Sequence, residues 1–150
     1  MIKYLVQNEA KVIILAHNPK NTEERVKELN AIIPNSASCY TADELLAEIT
    51  TKIMEKEGRL DGLINAAGGN MPGATVNPDQ TIFDISTGDL KKVLDLNLMG
   101  SVMPSLALGK IMAEQGSEVI INISSMASTQ AITRILGYYK AKSGIEIFTK

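Results

Sequence analysis

Short apolar runs alternate along this chain with longer stretches whose apolar residues recur every three or four positions. Continuous runs of Ile, Val and Leu are typical of strands buried in a parallel sheet, and the longer spacing is typical of amphipathic helices packed on it. The sequence predicts four strands, at Lys11–Ala16, Ser36–Tyr40, Leu60–Ala67 and Val119–Ser124. Strands that alternate with helices predict parallel β-α-β units, and therefore an α/β fold with helices on both faces of the sheet.

The helices predicted between these strands have recognisable start and stop residues. Ser86 and Asp89 resemble a capped helix start, and Gly116 is a typical helix end. Gly100 and Pro104 predict an interruption within that helix. The predicted helices are Met1–Gln7, Thr22–Leu29, Asp43–Glu57, Ser86–Gln115 and Tyr138–Lys150, and Met71–Gln80 is predicted to be a loop.

Polar side chains follow the predicted strands at the points where the strands end. His17, Tyr40, Asn65 and Ser125 all occupy such positions. In open parallel sheets ligands bind beyond the carboxyl ends of the strands. We therefore expect a ligand site along this edge of the sheet.

The composition fits one soluble globular domain of 150 residues, 45% hydrophobic and 21% charged. A net charge of −2 gives no electrostatic reason to expect nucleic acid or an anionic membrane as a partner. The apolar runs are strand-sized and the N-terminus lacks a signal-peptide pattern, so neither a bilayer-spanning segment nor secretion is expected. The single cysteine, Cys39, fits a reducing compartment and a cytoplasmic location. The only histidine, His17, has no partners at zinc-ligand spacing, so no metal site is expected.

Tyr138 and Lys142 are the most informative pair in the chain. Residues four apart lie on the same face of a helix, and Ser125 ends a predicted strand thirteen residues before Tyr138. A phenol, an ammonium and a hydroxyl that converge could move a proton to and from a substrate oxygen. Tyr139 has Ser143 four residues later and lacks such a partner. The alternative is an exposed Tyr/Lys pair on an amphipathic helix.

Four features in order make the chain resemble the short-chain dehydrogenase/reductase family. They are Asn65–Gly68 after a strand, Asn97 in a predicted helix, Ser125 after a strand, and Tyr138 with Lys142. The resemblance covers essentially the whole chain. It implies a Rossmann-like doubly wound sheet, with NAD or NADP as cofactor and a small-molecule substrate.

The resemblance also implies a role for each motif residue. Tyr138 would be the general acid, and Lys142 would stabilise its phenolate and hold the cofactor ribose. Ser125 would bind the substrate oxygen, and the backbone carbonyl of Asn97 would hold a water that links Lys142 to solvent. A strand-closing serine and a plain buried or capping asparagine are the structural alternatives.

Cofactor contacts are expected at two further places. Asn65, Ala66, Ala67 and Gly68 place small residues beside the cofactor, where the glycine permits unusual dihedrals, although a tight turn alone would also explain them. By the resemblance, His17 and Asn18 lie where the family reads the adenosine ribose. An acidic residue there would favour NAD and an arginine NADP, and this chain has neither. Tyr40 stands where the family usually has an aspartate near the adenine.

More narrowly, the run Ile64–Pro72 and the run Ile123–Met126 resemble the branch that reduces D-fructuronate to D-mannonate. Asn70, Met71, Pro72 and Met126 are expected to border the substrate. Two departures matter: no glycine-rich loop of the kind that binds a pyrophosphate precedes a helix here, and the chain stops inside the helix that bears Tyr138, with no glycine or proline stop signal. We therefore expect residues 1–150 to form a partial dinucleotide-binding domain, without the family's first strand or its C-terminal part. The missing strand should leave a gap between the two strand pairs.

Three functions stay open at the level of sequence. The first is an NAD(P)-dependent reductase of a sugar acid, which is expected to form a homo-oligomer when complete. The second is an epimerase or lyase that uses the same pair with bound nicotinamide. The third is an inert truncated chain, which would bind little or no nucleotide because it lacks the pyrophosphate-binding loop.

Overall fold

The computed structural model describes residues 1–42, 45–116, 119–130 and 133–150. These residues divide into two compact units, Met1–Ile53 and Met54–Lys150. Each unit is built from its own pair of parallel strands with helices packed on them.

The first unit holds a pair of parallel strands in a small apolar core. Strand β1 pairs with β2 in a register that runs from Val12 opposite Ala37 to Ala16 opposite Thr41. Val6, Leu29 and Ala37 form the buried centre of this core. The elements are α1 (Ile2–Gln7), β1 (Val12–Ala16), α2 (Pro19–Asn30), β2 (Ala37–Thr41) and the start of α3 (Leu46–Glu57).

Helix α2 begins three residues before the predicted start at Thr22. The side chain of Asn18 caps it by accepting a 3.1 Å hydrogen bond from the backbone N–H of Asn21, and Pro19 occupies the first turn. An asparagine cap followed by proline is a typical helix-start signal, which accounts for the earlier start. The predicted start of the next helix, Asp43, lies outside the described residues.

The second unit contains the remaining elements. Strand β3 pairs in parallel with β4, with Leu63 opposite Ile120 and Asn65 opposite Asn122. Helix α5 packs on both strands, and α6 packs on α4. The elements are β3 (Leu63–Asn65), α4 (Thr87–Leu94), a π-helical turn (Asp95–Met99), α5 (Gly100–Gln115), β4 (Ile120–Asn122) and α6 (Leu136–Phe148), with 3₁₀ turns at Pro72–Ala74, Ile82–Asp84 and Met126–Ser128.

Strands β3 and β4 are shorter than predicted, and the start of β3 shows one reason. The side chain of Gln115 accepts from the N–H of Leu60 at 3.1 Å and donates to its carbonyl at 2.8 Å. Leu60 is therefore held by a side chain and not by a neighbouring strand. At the other end of β3, Ala66 and Ala67 are exposed and leave the sheet.

Within the described residues, β1 pairs only with β2, and β3 only with β4. The two strand pairs are therefore not hydrogen-bonded to each other within these residues, as expected for a sheet that lacks a strand. The expectation of deeply buried strands is wrong. All five residues of β1 are half-buried, and Ile121 of β4 is 45% exposed. A strand with a single neighbour is an edge strand, so its second edge is not covered by pairing.

The long helical run of the second unit is interrupted where the sequence predicts it. The Ser86 hydroxyl caps α4 by accepting from the N–H of Asp89 at 3.2 Å, and Gly116 ends α5 with a positive φ of 74°. The interruption is the π-helical turn directly before Gly100. Pro104 lies inside α5 without ending it.

The run Thr87–Gln115 is 29 residues long and, by length and composition alone, could cross a membrane. The expectation that no segment is long and apolar enough to span a bilayer is therefore wrong, because that expectation considered only uninterrupted apolar runs. One stripe of residues along this helical run is nevertheless buried within the second unit, and the core helix of a soluble protein can have the same length and composition. The stripe consists of Val93, Asn97, Ser101, Ser105, Leu108 and Met112.

Small residues let α6 approach α4 and the π-helical turn closely. A Cβ atom added at Gly137 would lie 2.7 Å from Leu90 Cδ1, and one at Gly144 would lie 3.1 Å from Leu98 Cδ1. Ala141, between them on the same face, is fully buried. The helix begins at Leu136, two residues before the predicted start, and this close packing fixes its first turn.

Replacing Gly137 by alanine should destabilise the second unit. The new methyl group overlaps Leu90, and overpacking of this kind costs about 1–3 kcal/mol, which exceeds the gain of up to about 1 kcal/mol in helix propensity. Urea unfolding would measure the loss. Gly88→Ala in α4 is the matched control, since its nearest neighbour, Ser86 Oγ, is 3.8 Å away. Equal stability of the two variants would contradict the packing described here.

Candidate active site

Lys142 is buried at the centre of the second unit. The residue is only 3% exposed, and its Nζ atom donates a 2.9 Å hydrogen bond to the carbonyl of Ile123. Burial lowers the pKa of the ammonium below its ordinary value. In the described part of the chain no carboxylate pairs with it. A buried cation without a counter-ion is costly, which marks this position as a functional candidate.

Tyr138 lies one turn before Lys142 on the same helix. The Lys142 Nζ atom is 5.9 Å from the centroid of the Tyr138 ring, within the range of a cation–π contact. Tyr138 is half-buried, and no hydrogen bond to its hydroxyl is found within the described residues. The structure therefore brings this predicted pair together and leaves the phenol available to a ligand.

Ser125 sits three residues beyond the end of β4 and starts a 3₁₀ turn. Its Oγ atom accepts a 3.2 Å hydrogen bond from the N–H of Ala127, and its carbonyl oxygen lies 2.6 Å from the Ser128 hydroxyl. Two residues earlier, Ile123 accepts from Lys142 and donates its own N–H to the carbonyl of Asn65 at 2.9 Å. The segment that carries Ser125 is thus tied both to α6 and to β3.

Asn97 occupies the π-helical turn and is completely buried. Its Nδ2 donates to the carbonyls of Gly69 at 2.6 Å and Val93 at 2.8 Å, and its Oδ1 accepts from the N–H of Gly69 at 3.1 Å. The side chain therefore binds both backbone groups of Gly69. This arrangement gives the buried amide a structural role, which is to hold the loop that follows β3.

Gly68 lies directly against Asn97 and Lys142. A Cβ atom placed there would be 2.8 Å from Asn97 Oδ1 and 3.2 Å from Lys142 Nζ. Neither Gly68 nor Gly69 has a positive φ, so the expected unusual dihedral is not the reason for these glycines. At Gly68 the reason is close approach, because any side chain would displace the amide or the ammonium.

The other residues at the exit of β3 divide into two kinds. Asn65 is 4% exposed, and its Nδ2 donates to Ser105 Oγ and to Asn122 Oδ1, both at 2.8 Å. Its amide protons are therefore used to join β3, β4 and α5. Ala66, Ala67 and Gly68 are exposed small residues, and Gly68 lies beside the buried lysine, so a ligand could approach the backbone there.

The residues predicted to read the adenosine end belong to the first unit. His17 is exposed directly after β1. Asn18 uses its side-chain oxygen to cap α2. The turn between this strand and helix contains no glycine, so it does not form the glycine-rich backbone loop that binds a pyrophosphate. The described residues thus fit the nicotinamide and ribose end of a dinucleotide better than its phosphates.

Glu146 is a residue that the sequence analysis missed. Its Oε1 accepts from Ser124 Oγ at 3.0 Å and also from the Ser128 hydroxyl. The hydrogen bonds from Ser128 and Ser124 hold the pKa of this carboxyl below its usual range. The signal was present, because Glu146 continues the four-residue spacing of Tyr138 and Lys142 by one more turn.

Comparison with known proteins identifies the class. The family model described as short chain dehydrogenase matches residues 1–150. An uncharacterized oxidoreductase of Haemophilus influenzae is 31% identical over 164 residues, which cover 100% of this chain and 57% of that protein. The chain therefore belongs to the short-chain dehydrogenase family of oxidoreductases. It spans a little more than half the length of the relatives it matches.

Solved structures agree with this assignment. A Haemophilus influenza protein, provisionally described as a D-mannonate oxidoreductase and crystallised with NAD, has a TM-score of 0.86 at 33% identity, covering 98% of this chain and 57% of that one. A variant of actinorhodin polyketide ketoreductase with NADPH has a TM-score of 0.87 at 22% identity, covering 99% and 56%. The second likeness shows the fold alone. The expected Rossmann-like α/β fold is confirmed, over part of the length of these proteins.

Replacing Gly68 by alanine should disturb the site, whereas the same change at Gly69 should not. The Gly68 methyl would push against Asn97 Oδ1, and we expect a loss of about 1–3 kcal/mol in the free energy of unfolding. The nearest atom to a Cβ at Gly69 is Leu96 Cδ2 at 3.7 Å, an ordinary contact. Denaturant unfolding of both variants measures the difference. A Gly69→Ala variant that loses as much stability would contradict this assignment.

Proposed function

We propose that this chain carries the proton-transfer site of an NAD(P)-dependent carbonyl reductase whose substrate is a sugar acid, D-fructuronate, reduced to D-mannonate. The observation that carries the proposal is the buried ammonium of Lys142, whose Nζ lies 5.9 Å from the ring centroid of Tyr138. A cation held out of water beside a phenol is an arrangement that favours the phenolate. A buried ammonium without a carboxylate partner is energetically costly, so its presence here supports a functional role.

Tyr138 is the proposed general acid. A free tyrosine has a pKa of about 10, whereas an efficient acid–base catalyst titrates near about 7, a difference of about 4 kcal/mol. Lys142, whose Nζ lies 5.9 Å from the centroid of the Tyr138 ring, is the proposed source of the positive charge that stabilises the phenolate. Tyr138 gives its proton to the carbonyl oxygen and is left as a phenolate beside the ammonium.

Ser125 is the proposed donor to the same substrate oxygen. Its Oγ already accepts from the N–H of Ala127, which leaves its own proton free to point at a ligand. A fixed donor at this place would stabilise the charge that develops on the oxygen during reduction. Asn97 contributes indirectly, since its side chain holds the loop over Lys142.

The cofactor in this proposal is NAD or NADP, and its nicotinamide supplies the hydride when bound. Lys142 has two N–H donors left for the ribose hydroxyls. Ala66, Ala67 and Gly68 form an exposed stretch of backbone, and Gly68 lies next to this lysine. His17 and Asn18 are the proposed contacts for the adenosine ribose. The NAD of the Haemophilus structure supports the choice of a nicotinamide dinucleotide.

The sugar-acid substrate rests on the loop after β3 and on the description of the Haemophilus structure. Two hydrogen bonds restrain this loop: Asn70 Nδ2 donates to Thr75 Oγ1 at 2.7 Å, and the carbonyl of Gly73 accepts from the N–H of Ser86 at 2.9 Å. A fixed loop suits a substrate with many hydroxyl groups. The proposal includes a cytoplasmic location, consistent with the single cysteine, and a homo-oligomer of the whole protein.

Tyr138→Phe, in the whole protein, should abolish reduction of D-fructuronate. Loss of the general acid should reduce kcat by about 100-fold or more, while the dissociation constant for NADH changes little. Tyr139→Phe removes the neighbouring hydroxyl and should keep nearly full activity. The measurement is the absorbance of reduced nicotinamide, with cofactor binding followed by fluorescence.

The same assay separates the proposal from its alternatives. A net loss of reduced nicotinamide with substrate indicates a reductase. Product formed without any net change would instead indicate an epimerase or lyase. Full turnover by Tyr138→Phe would refute the role of Tyr138.

A further inference from the structure

Glu146 lies two turns beyond Tyr138 and one turn beyond Lys142, on the same face of α6. One of its carboxylate oxygens accepts from the hydroxyl of Ser124 at 3.0 Å and from the hydroxyl of Ser128. These two serines bracket Ser125, the proposed donor to the substrate oxygen. A single carboxylate on α6 therefore binds residues that precede and follow Ser125 in the chain.

Further hydrogen bonds join the same two elements. Ser143 Oγ donates to the carbonyl of Ser128 at 2.7 Å, and Ser124 Oγ lies 3.4 Å from the carbonyl of Lys142. The Ser128 hydroxyl also lies 2.6 Å from the carbonyl of Ser125. The contacts of Ser143 and Ser124 hold this segment against α6, whereas the contact between Ser128 and Ser125 closes the turn itself, and Glu146 is the charged acceptor among these groups. Hydrogen bonds to an ionised acceptor are about twice as strong as neutral ones.

These hydrogen bonds matter because Ser125 and Tyr138 lie on different elements. Ser125 belongs to the turn after β4, and Tyr138 to α6. Both must meet one substrate oxygen, and a misplacement of about 1 Å in such an arrangement costs about 100-fold in rate. The Glu146 carboxylate is a charged link between the two elements, beside the hydrogen bond from the Lys142 ammonium to the carbonyl of Ile123.

We propose that Glu146 is a positioning residue that fixes the Ser125 hydroxyl relative to Tyr138. It does not touch the substrate and acts through Ser124 and Ser128. The kinetic part of this inference rests on the proposed function, whereas the structural part does not.

Hydrogen exchange tests the structural part. The N–H groups of Ala127 and Ser128 bond to Ser125, so they report how well this turn is held. In Glu146→Ala we expect their exchange to be faster by about tenfold, the effect of losing hydrogen bonds to a charged group. Glu146→Gln, which keeps an acceptor oxygen, should show a smaller increase. Glu114→Ala removes an exposed glutamate near the end of α5 and should leave the exchange of this segment unchanged.

Kinetics on the whole enzyme test the positioning. Glu146→Ala should lower kcat for carbonyl reduction by about 10- to 100-fold and leave the KM for nicotinamide within about twofold. Glu146→Gln should recover most of the activity. In a Ser125→Ala background the Glu146→Ala change should cost almost nothing more, because residues that act as one unit are not additive.

Several results would overturn the inference. These are unchanged exchange of Ala127 and Ser128 in Glu146→Ala, or a full additional loss of kcat when Ser125 is already absent. A loss of activity that only follows global unfolding would also do so, and Glu146→Gln provides this comparison if the alanine variant does not fold. If the wild-type protein does not turn over nicotinamide, the proposed function fails, and the exchange experiment still decides whether Glu146 holds the turn.

Discussion

The burial of the Lys142 ammonium is the constraint on which the rest of the second unit depends. A cation removed from water must find acceptors or neutralise, and here one carbonyl, that of Ile123, meets it at 2.9 Å. Several features follow from this need. The strand exit must present that carbonyl, the helix must come close enough to reach it, and the residue above must be glycine. The arrangement of the site therefore follows from the cost of burying the ammonium, and not from a contact that is itself stabilising.

Two devices supply the required closeness. Gly137 and Gly144 let α6 approach the neighbouring helical run, where a Cβ atom would lie 2.7 Å from Leu90 Cδ1 and 3.1 Å from Leu98 Cδ1. Asn97 then fixes the loop after β3 by binding both backbone groups of Gly69. The π-helical turn is where this asparagine can face the loop from inside a long helix, and such turns are frequent at functional sites. Packing, backbone geometry and a buried amide thus all serve one position.

The sequence foretold the parts of this site that depend on local spacing. Tyr138 and Lys142 are four residues apart, so one helix was enough to place them together. The requirement for Gly68 could not be predicted, since it arises from Asn97 and Lys142, which are distant in the chain. Leu60 was assigned to a strand on its apolar character, and the Gln115 side chain that takes its backbone partners is 55 residues away. Glu146 was overlooked although its spacing was regular, because its serine partners belong to another element.

The most direct test of the account is the pKa of the Lys142 ammonium, followed by NMR of a protein with labelled lysine. The account predicts a value below the ordinary 10.5, because burial disfavours the charged form and no carboxylate of the described residues opposes this. The folded state then binds fewer protons than the unfolded state between the two pKa values, so this group's contribution to stability should rise with pH in that window. A Lys142 pKa at or above the ordinary 10.5 would contradict the central claim.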